Sequence, residues 1–146
     1  FGVGTALVVS DDAPGLDCAY KLQEYAGIAR RKRSEGKSTW PGRKQVFRVL
    51  KDGRLAQDTL ALASETLDGE PLIQPVMREG RRLAPAPALS VLRARTRAAL
   101  EILPEALRAL EPAAVPYRAA VTPALRALAD AVDRRQAAVV EADRLA

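Results

Sequence analysis

The stretch KQVFRVLKDGRLAQDTLAL, residues 44–62, decides the fold of this chain. Its first half is rich in β-branched and aromatic side chains and partly alternates between apolar and polar residues, as strands do. On a strand, Phe47 and Val49 would face one side of the sheet, and Val46, Arg48 and Leu50 the other. The pair Asp52-Gly53 follows, and Asp-Gly between two such runs favours a two-residue hairpin. The stretch therefore predicts a β-hairpin whose return strand lies in LAQDTLALASE.

Strand and turn signals continue to residue 83. The turn pair Asp68-Gly69 precedes a short apolar run, PLIQPVM. Pro71 and Pro75 place that run at the edge of a sheet or break it, because proline cannot donate to the hydrogen-bond ladder. We therefore predict that residues 30–83 form an antiparallel meander of modest strands.

Residues 84–146 favour helices, which follow an extended linker, APAPA. Ser90 is predicted to cap a first helix that Pro104 kinks or replaces with a new one. A second helix is predicted from Pro123, with Thr122 as its N-cap. The predicted buried face of the first helix consists of Leu92, Thr96, Ala99, Leu103, Leu107 and Leu110. The predicted buried face of the second consists of Leu125, Leu128, Ala129 and Val132.

The composition restricts the chemistry that these residues can perform. The 146 residues suffice for one domain or two small units, and no apolar run approaches the roughly 20 residues of a membrane helix. The chain has no histidine and a single cysteine, Cys18. A zinc site or Ser-His-Asp catalysis is therefore not expected from these residues. The lone cysteine fits a reducing compartment.

The positive charge is local. Residues 30–54 contain ten Lys or Arg and two acids, whereas the rest of the chain has 13 basic and 16 acidic residues, a net charge of −3. Such a patch usually faces an anion. Cations alternate with Ser, Thr and Gly between residues 32 and 44, and this mixture suits phosphate. A solvated basic hairpin stays open as the alternative. Nucleic acid is less favoured, because Trp40 is the only aromatic residue between Tyr25 and Phe47.

The first ten residues, FGVGTALVVS, contain a second candidate site. Gly2 and Gly4 flank Val3, and Thr5 follows. Glycines let the backbone approach a ligand closely, and their N–H groups can form a nest for an anion. This spacing alone is weak evidence, and an ordinary turn is the alternative.

The order of motifs along the chain resembles the C-terminal third of nicotinate phosphoribosyltransferases, nearly from end to end. The motifs are FGVGT, LDCAYKLQEYAG, RKRSEGKSTWPGRKQVFR, DGEPLIQPVMREGR and VPYRAAVTPALRAL. The most specific block has the pattern K-x-S-x-x-K-x-T-x-P-G-x-K. Its residues here are Lys32, Ser34, Lys37, Thr39, Pro41, Gly42 and Lys44.

The resemblance implies an enzyme of NAD biosynthesis, a transferase that is also classed as a ligase. The family joins nicotinate to phosphoribosyl pyrophosphate with ATP hydrolysis and forms nicotinate mononucleotide. A phosphohistidine carries the ATP coupling, and this chain has no histidine. The catalytic residues are therefore expected outside this chain, and the chain alone is expected to be inactive.

The implied fold class is α+β. Residues 1–29 are expected to form the last strand and glycine loop of an irregular α/β barrel. Residues 30–83 would form the basic β-rich segment, and residues 84–146 the C-terminal helices.

The resemblance also implies site residues. The glycine loop, expected to bind the phosphate of phosphoribosyl pyrophosphate, consists of Gly2, Val3, Gly4 and Thr5. Lys21 matches a lysine that reaches the phosphate site of a neighbouring subunit in the related nicotinamide enzyme. An arginine that the relatives use shortly after the glycine loop has no counterpart in residues 6–20. The residues expected on the pyrophosphate or ATP side are Lys32, Ser34, Lys37 and Lys44.

The resemblance further implies ATP and Mg²⁺, held mainly outside this chain, with no metal ligand within it. It implies a cytoplasmic homodimer with no membrane or nucleic-acid partner. Two alternatives stay open. The first is a nicotinamide-type phosphoribosyltransferase, because the base-binding residues are not in this sequence. The second is a non-catalytic basic module that binds nucleic acid.

Overall fold

A long β-hairpin organises residues 21–145, which are the residues that the computed structural model describes. Of residues 1–29, predicted to form the last strand and glycine loop of a barrel, the first 20 lie outside the described residues. The strands are β1 (Glu24–Tyr25), β2 (Ile28–Ala29), β3 (Arg33–Ser34), β4 (Lys37–Ser38), β5 (Lys44–Lys51), β6 (Arg54–Leu62), β7 (Glu70–Pro71), β8 (Met77–Arg78), β9 (Arg81–Arg82) and β10 (Ala120–Val121). The helices are α1 (Leu89–Glu101) and α2 (Pro123–Leu145), with a 3-10 turn at Glu105–Leu107 between them. The described residues are thus α+β.

The central hairpin, β5 and β6, is the one that the sequence predicts. The two strands pair antiparallel along their length, from Lys44 opposite Leu62 to the turn. Asp52 and Gly53 form the turn, with φ angles of 52° and 72°. A two-residue turn that matches the twist of its strands requires positive φ at both positions. Phe47 is buried on this sheet, and the prediction is confirmed.

The sheet around the hairpin differs from the predicted meander. Its strand order is β10-β6-β5-β7, so β7 pairs with β5, not with β6. Residues 63–69 connect β6 to β7. This connection is long enough to cross the hairpin and place β7 at the outer edge of β5. The run PLIQPVM contributes only Pro71 to the sheet, at an edge, and its last residue opens β8. The parallel pair of β10 with β6 was not predicted either.

The second helix, α2, confirms its prediction. The Thr122 hydroxyl accepts a hydrogen bond from the backbone N–H of Leu125 at 3.3 Å and donates one to Glu65 Oε2 at 2.9 Å. Leu125, Ala129 and Val132 are at most 3% exposed. The helix packs against β6, so its apolar face closes the core of the described residues.

The first helix, α1, departs from its prediction. It begins at Leu89 after Ala88, whose side chain makes no capping hydrogen bond, and Ser90 lies inside the helix. None of its residues is buried among the described residues, and Leu89 and Leu100 are 71% and 52% exposed. The apolar spacing identifies the face of α1 that is suited to burial. Within residues 21–145, no segment buries that face.

Neither helix described here is long and apolar enough to span a membrane.

Replacing Thr122 by Ala is expected to lower the free energy of unfolding by about 1 kcal/mol, because the first turn of α2 loses its cap. The measurement is urea unfolding of the full-length protein, meaning the natural polypeptide that contains these residues. Ser90→Ala is the matched control, since Ser90 caps nothing. It is expected to change stability by less than about 0.5 kcal/mol. Equal losses in both variants would contradict the capping role of Thr122.

Candidate functional site

Residues 30–40, which contain the first part of the motif block, form a small hairpin that we call the basic hairpin. Strands β3 and β4 pair antiparallel, with Ser34 opposite Lys37. Two reciprocal bonds close the base of the hairpin. The Lys32 N–H donates to Thr39 Oγ1 at 3.0 Å, and the Thr39 N–H donates to the Lys32 carbonyl at 3.1 Å. The threonine of the motif therefore fixes the hairpin's shape.

The basic hairpin is attached to α2 by side chains from the helix. Asp133 Oδ2 lies 2.9 Å from Arg33 Nη1 and 3.5 Å from Arg31 Nη1. Two and three residues further along α2, Arg135 donates to the carbonyl at the end of β2, and Gln136 Nε2 donates to the Arg31 carbonyl at 3.5 Å. These contacts join residues about 100 positions apart in the sequence. They fix one side of the hairpin to the helix.

The second half of the motif block packs into the same junction. The guanidinium carbons of Arg31 and Arg126 lie 6.0 and 5.9 Å from the centroid of the Trp40 ring, within the range of cation–π attraction. Pro41 and Gly42 are buried. A Cβ built on Gly42 would meet Leu128 Cδ2 at 3.0 Å, so α2 and this turn approach closely. The motif's Pro-Gly pair therefore serves the packing of the basic hairpin on α2.

Lys44 points into the protein. Its ammonium group donates to the carbonyl of Trp40 at 2.9 Å, and also to the Gly42 carbonyl and Gln23 Oε1. Burial lowers the pKa of Lys44, and the negative charge of Glu24 acts in the opposite direction. An ammonium group has three donors, and all three reach protein acceptors here. Lys44 thus joins the start of β5 to the turn before it.

A shallow hollow of about 390 Å³ lies beside this turn. Its polar lining comes from Glu24, Arg43 and Ser64, and Leu128 supplies part of the apolar wall. The Arg43 backbone N–H donates to Glu24 Oε2 at 3.3 Å. The hollow is at the small end of the range for ligand pockets, and it offers one exposed guanidinium.

The structure brings together only part of the predicted site. Lys32 is exposed on the basic hairpin, and Ser34 and Lys37 pair with each other in its two strands. Lys21 is exposed outside the strands. Lys44 lies beyond the Pro-Gly turn with its ammonium group directed inward. The phosphate contacts of these residues stay predictions, and the glycine loop, residues 2–5, lies outside the described residues.

Sequence reasoning missed the helix residues that hold the basic hairpin, above all Asp133 and Arg126. Nothing near them in the sequence distinguishes them from the solvated charges of an amphipathic helix. Trp40 was interpreted as a packing residue, and its half-buried ring fits that interpretation.

No cluster of three or more potential ligands that could hold a metal ion occurs within residues 21–145.

Three comparisons relate the chain to known proteins. Nicotinate phosphoribosyltransferase pncB2 of Mycobacterium tuberculosis is 50% identical over 123 residues, which are 84% of this chain and 27% of that protein. Nicotinate phosphoribosyltransferase of Bos taurus is 33% identical over 162 aligned residues, covering 93% of this chain and 30% of that protein. The crystal structure of human nicotinic acid phosphoribosyltransferase matches with a TM-score of 0.58 and 25% identity, over 70% of this chain and 25% of that chain.

The chain thus spans less than a third of the length of the relatives it matches. No family model matches it.

Proposed function

Because the chain belongs to the nicotinate phosphoribosyltransferase family and matches a C-terminal part of its members, we propose that it is part of an enzyme that makes nicotinate mononucleotide. That enzyme joins nicotinate to phosphoribosyl pyrophosphate, releases pyrophosphate and supplies NAD biosynthesis. The observation that carries the proposal is the 50% identity across 84% of the chain to a protein of that name.

The chemistry of the transfer calls for cations of the kind that the basic hairpin carries. As pyrophosphate leaves the anomeric carbon, positive charge develops on the ribose and negative charge on the leaving group. Preorganised cations stabilise such a transition state electrostatically. In this proposal Lys32, Ser34 and Lys37 belong to the part of the site that binds pyrophosphate or ATP. Lys44 supports them by holding the turn at the base of the hairpin.

The remaining family features are part of the same proposal. Residues 1–29 would supply the last strand of the irregular barrel and, in Gly2–Thr5, the backbone N–H groups that bind the sugar phosphate. Lys21 would reach the phosphate site of the second subunit of a cytoplasmic homodimer. ATP hydrolysis would drive the reaction. The chain contains no histidine, so a phosphohistidine would come from elsewhere in the polypeptide.

The direct test is product analysis with the full-length protein. It would be incubated with phosphoribosyl pyrophosphate, ATP and Mg²⁺, and with either nicotinate or nicotinamide. We expect nicotinate mononucleotide from nicotinate and little product from nicotinamide. Product from nicotinamide alone would favour the nicotinamide-type enzyme. No product from either base would refute the proposal.

Replacing Lys32 by Met is expected to raise the KM for phosphoribosyl pyrophosphate or for ATP about tenfold, because it removes one charge-assisted contact. Steady-state kinetics with each substrate varied in turn would measure the change. Lys51→Met is the matched control, since Lys51 is an exposed lysine at the turn of the β5–β6 hairpin. An unchanged KM for both substrates in Lys32→Met would exclude Lys32 from the site.

A further inference from the structure

We propose that Asp133 of α2 is a positioning residue for this reaction. It holds the basic hairpin in the orientation in which its cations meet the phosphate groups of the substrate. The inference rests on the proposed function and adds a residue that no sequence motif contains. It follows from the ion pairs of Asp133 and from the alternation of side chains along the hairpin.

The carboxylate of Asp133 binds two arginines of the same short segment. Its Oδ2 atom lies 2.9 Å from Arg33 Nη1 and 3.5 Å from Arg31 Nη1. The side chains of Arg31 and Asp133 are 11% and 22% exposed, whereas that of Arg33 is 67% exposed. The contact with Arg31 is therefore the more protected one. Such a pair is screened by solvent and salt less than a pair on the open surface.

Because side chains alternate along the hairpin, the contact with Asp133 determines which side of the hairpin faces α2. Successive side chains of an extended segment point to opposite sides. Because Arg31 and Arg33 both reach Asp133, the side of the segment that carries them faces α2. Lys32 and Ser34 then belong to the side that faces away from the helix. The anchoring of Arg31 and Arg33 to α2 thus places Lys32 and Ser34 on the outward side of the hairpin.

The anchor also relies on a second contact of Arg31. Its guanidinium carbon lies 6.0 Å from the centre of the Trp40 ring, and Gln136 bonds to its backbone carbonyl. Removing the negative charge of Asp133 would leave two neighbouring cations on the hairpin that repel each other. We therefore expect the hairpin to loosen from α2 while the core around Leu125 and Val132 stays packed.

A loosened hairpin weakens binding by a calculable amount. When only a fraction of the protein has the binding-competent conformation, the apparent dissociation constant rises by the inverse of that fraction. If the competent fraction falls to about one tenth, the KM of the substrate bound by the hairpin rises about tenfold. The turnover of the bound complex changes less, since bound substrate selects the competent conformation.

The experiment compares Asp133→Asn, Asp133→Glu and Asp130→Asn in the full-length protein. Asp130 is an exposed acid one turn earlier on α2, so its replacement matches the charge change. We expect Asp133→Asn to raise KM about tenfold with kcat within about threefold. Asp133→Glu should recover most of the wild-type KM, and Asp130→Asn should resemble the wild type. Arg33→Gln, which breaks one of the two pairs at an exposed side chain, should give a smaller rise.

A readout independent of activity is the rate of tryptic cleavage within residues 31–37. It should increase in Asp133→Asn and return towards the wild-type rate in Asp133→Glu. Unchanged KM and cleavage rates in Asp133→Asn would overturn the inference, as would a fall in kcat at constant KM. If the wild-type protein makes no product, the proposed function fails. The cleavage rates would then still show whether Asp133 holds the hairpin.

Discussion

Replacing Gly69 by Ala is expected to lower the free energy of unfolding by about 3 kcal/mol, from backbone strain together with steric overlap. Gly69 has a φ of +109°, outside the region that residues with a Cβ readily adopt. A Cβ placed there would lie 2.6 Å from the carbonyl oxygen of Arg48 and 2.9 Å from its carbonyl carbon. These are backbone atoms of a central strand, so no side-chain rotation can relieve the overlap.

The overlap acts on the pairing of β7 with β5. Glu70 lies opposite Arg48 in that pair, and the Leu72 N–H donates to the Val46 carbonyl at 2.8 Å just beyond it. We expect β7 to separate from the sheet in Gly69→Ala, and the amide of Leu72 to exchange with solvent faster. Urea unfolding and hydrogen exchange would measure the global and the local loss.

Gly80→Ala is the matched control for this prediction. Gly80 also has a positive φ, 74°, but a Cβ built there meets nothing within 4 Å. Gly80→Ala is expected to lower the free energy of unfolding by about 1 kcal/mol, which is the strain of the left-handed conformation alone. If both variants lose the same stability, the close approach of Gly69 to β5 does not contribute to the loss, and the prediction is wrong.

Replacing Asp58 by Ala is expected to cost about 3 kcal/mol of folding free energy, the low end for breaking a buried ion pair. Asp58 lies directly opposite Arg48 on the central hairpin. Its two oxygens accept hydrogen bonds of 2.8 Å from Arg48 Nε and Nη2. The side chains of the pair are 20% and 13% exposed, so the guanidinium that remains would be poorly solvated.

Arg48 cannot escape this cost by losing its proton. The hydrogen bonds that Arg48 donates to Asp58 raise the pKa of Arg48 further above an already high value, although burial opposes the shift. An arginine side chain stays protonated even without a partner. The free energy of unfolding of Asp58→Ala is therefore expected to stay low at every pH at which the protein folds.

A double variant tests the cause of the loss. Arg48→Met with Asp58→Leu removes both charges and fills the space with apolar groups, which often matches or exceeds the stability of a buried pair. We expect the double variant to unfold at a higher urea concentration than Asp58→Ala. The exposed Asp130→Ala should change stability by less than about 0.5 kcal/mol. A double variant less stable than Asp58→Ala would show that the pair's charges are not the source of the loss.

Elements with strong local signals were predictable. The turn Asp52-Gly53 and the cap Thr122 each determine their geometry through neighbours in the sequence. Their elements, the β5–β6 hairpin and α2, stand where the pattern placed them. The position of β7 was not predictable, because the connection of residues 63–69 permits pairing on either side of the hairpin. Ser90 shows the limit of a cap signal on a helix that has no buried residue within residues 21–145.

The candidate site was likewise predictable only in part. The block from Lys32 to Lys44 identified the segment and its family. It did not show that Lys44 bonds inward to backbone carbonyls while Lys32 stays exposed. Both lysines belong to one sequence pattern, and that pattern does not specify which side of the segment faces a helix. The direction of Lys44 follows from its bonds to Gln23 and to the carbonyls of Trp40 and Gly42, and the contact of the hairpin with α2 involves Asp133, about 100 residues later in the chain.

The sequence by itself determined the central hairpin, the capped second helix, the local positive charge and the family to which the chain belongs. These properties follow from side-chain periodicity, turn chemistry and motif spacing, all of which act over a few residues. The tertiary structure alone decided the strand order, the exposure of α1 and the anchoring of the basic hairpin on α2. Each of these depends on contacts between distant segments, whose free energy arises only once the chain has brought the partners together.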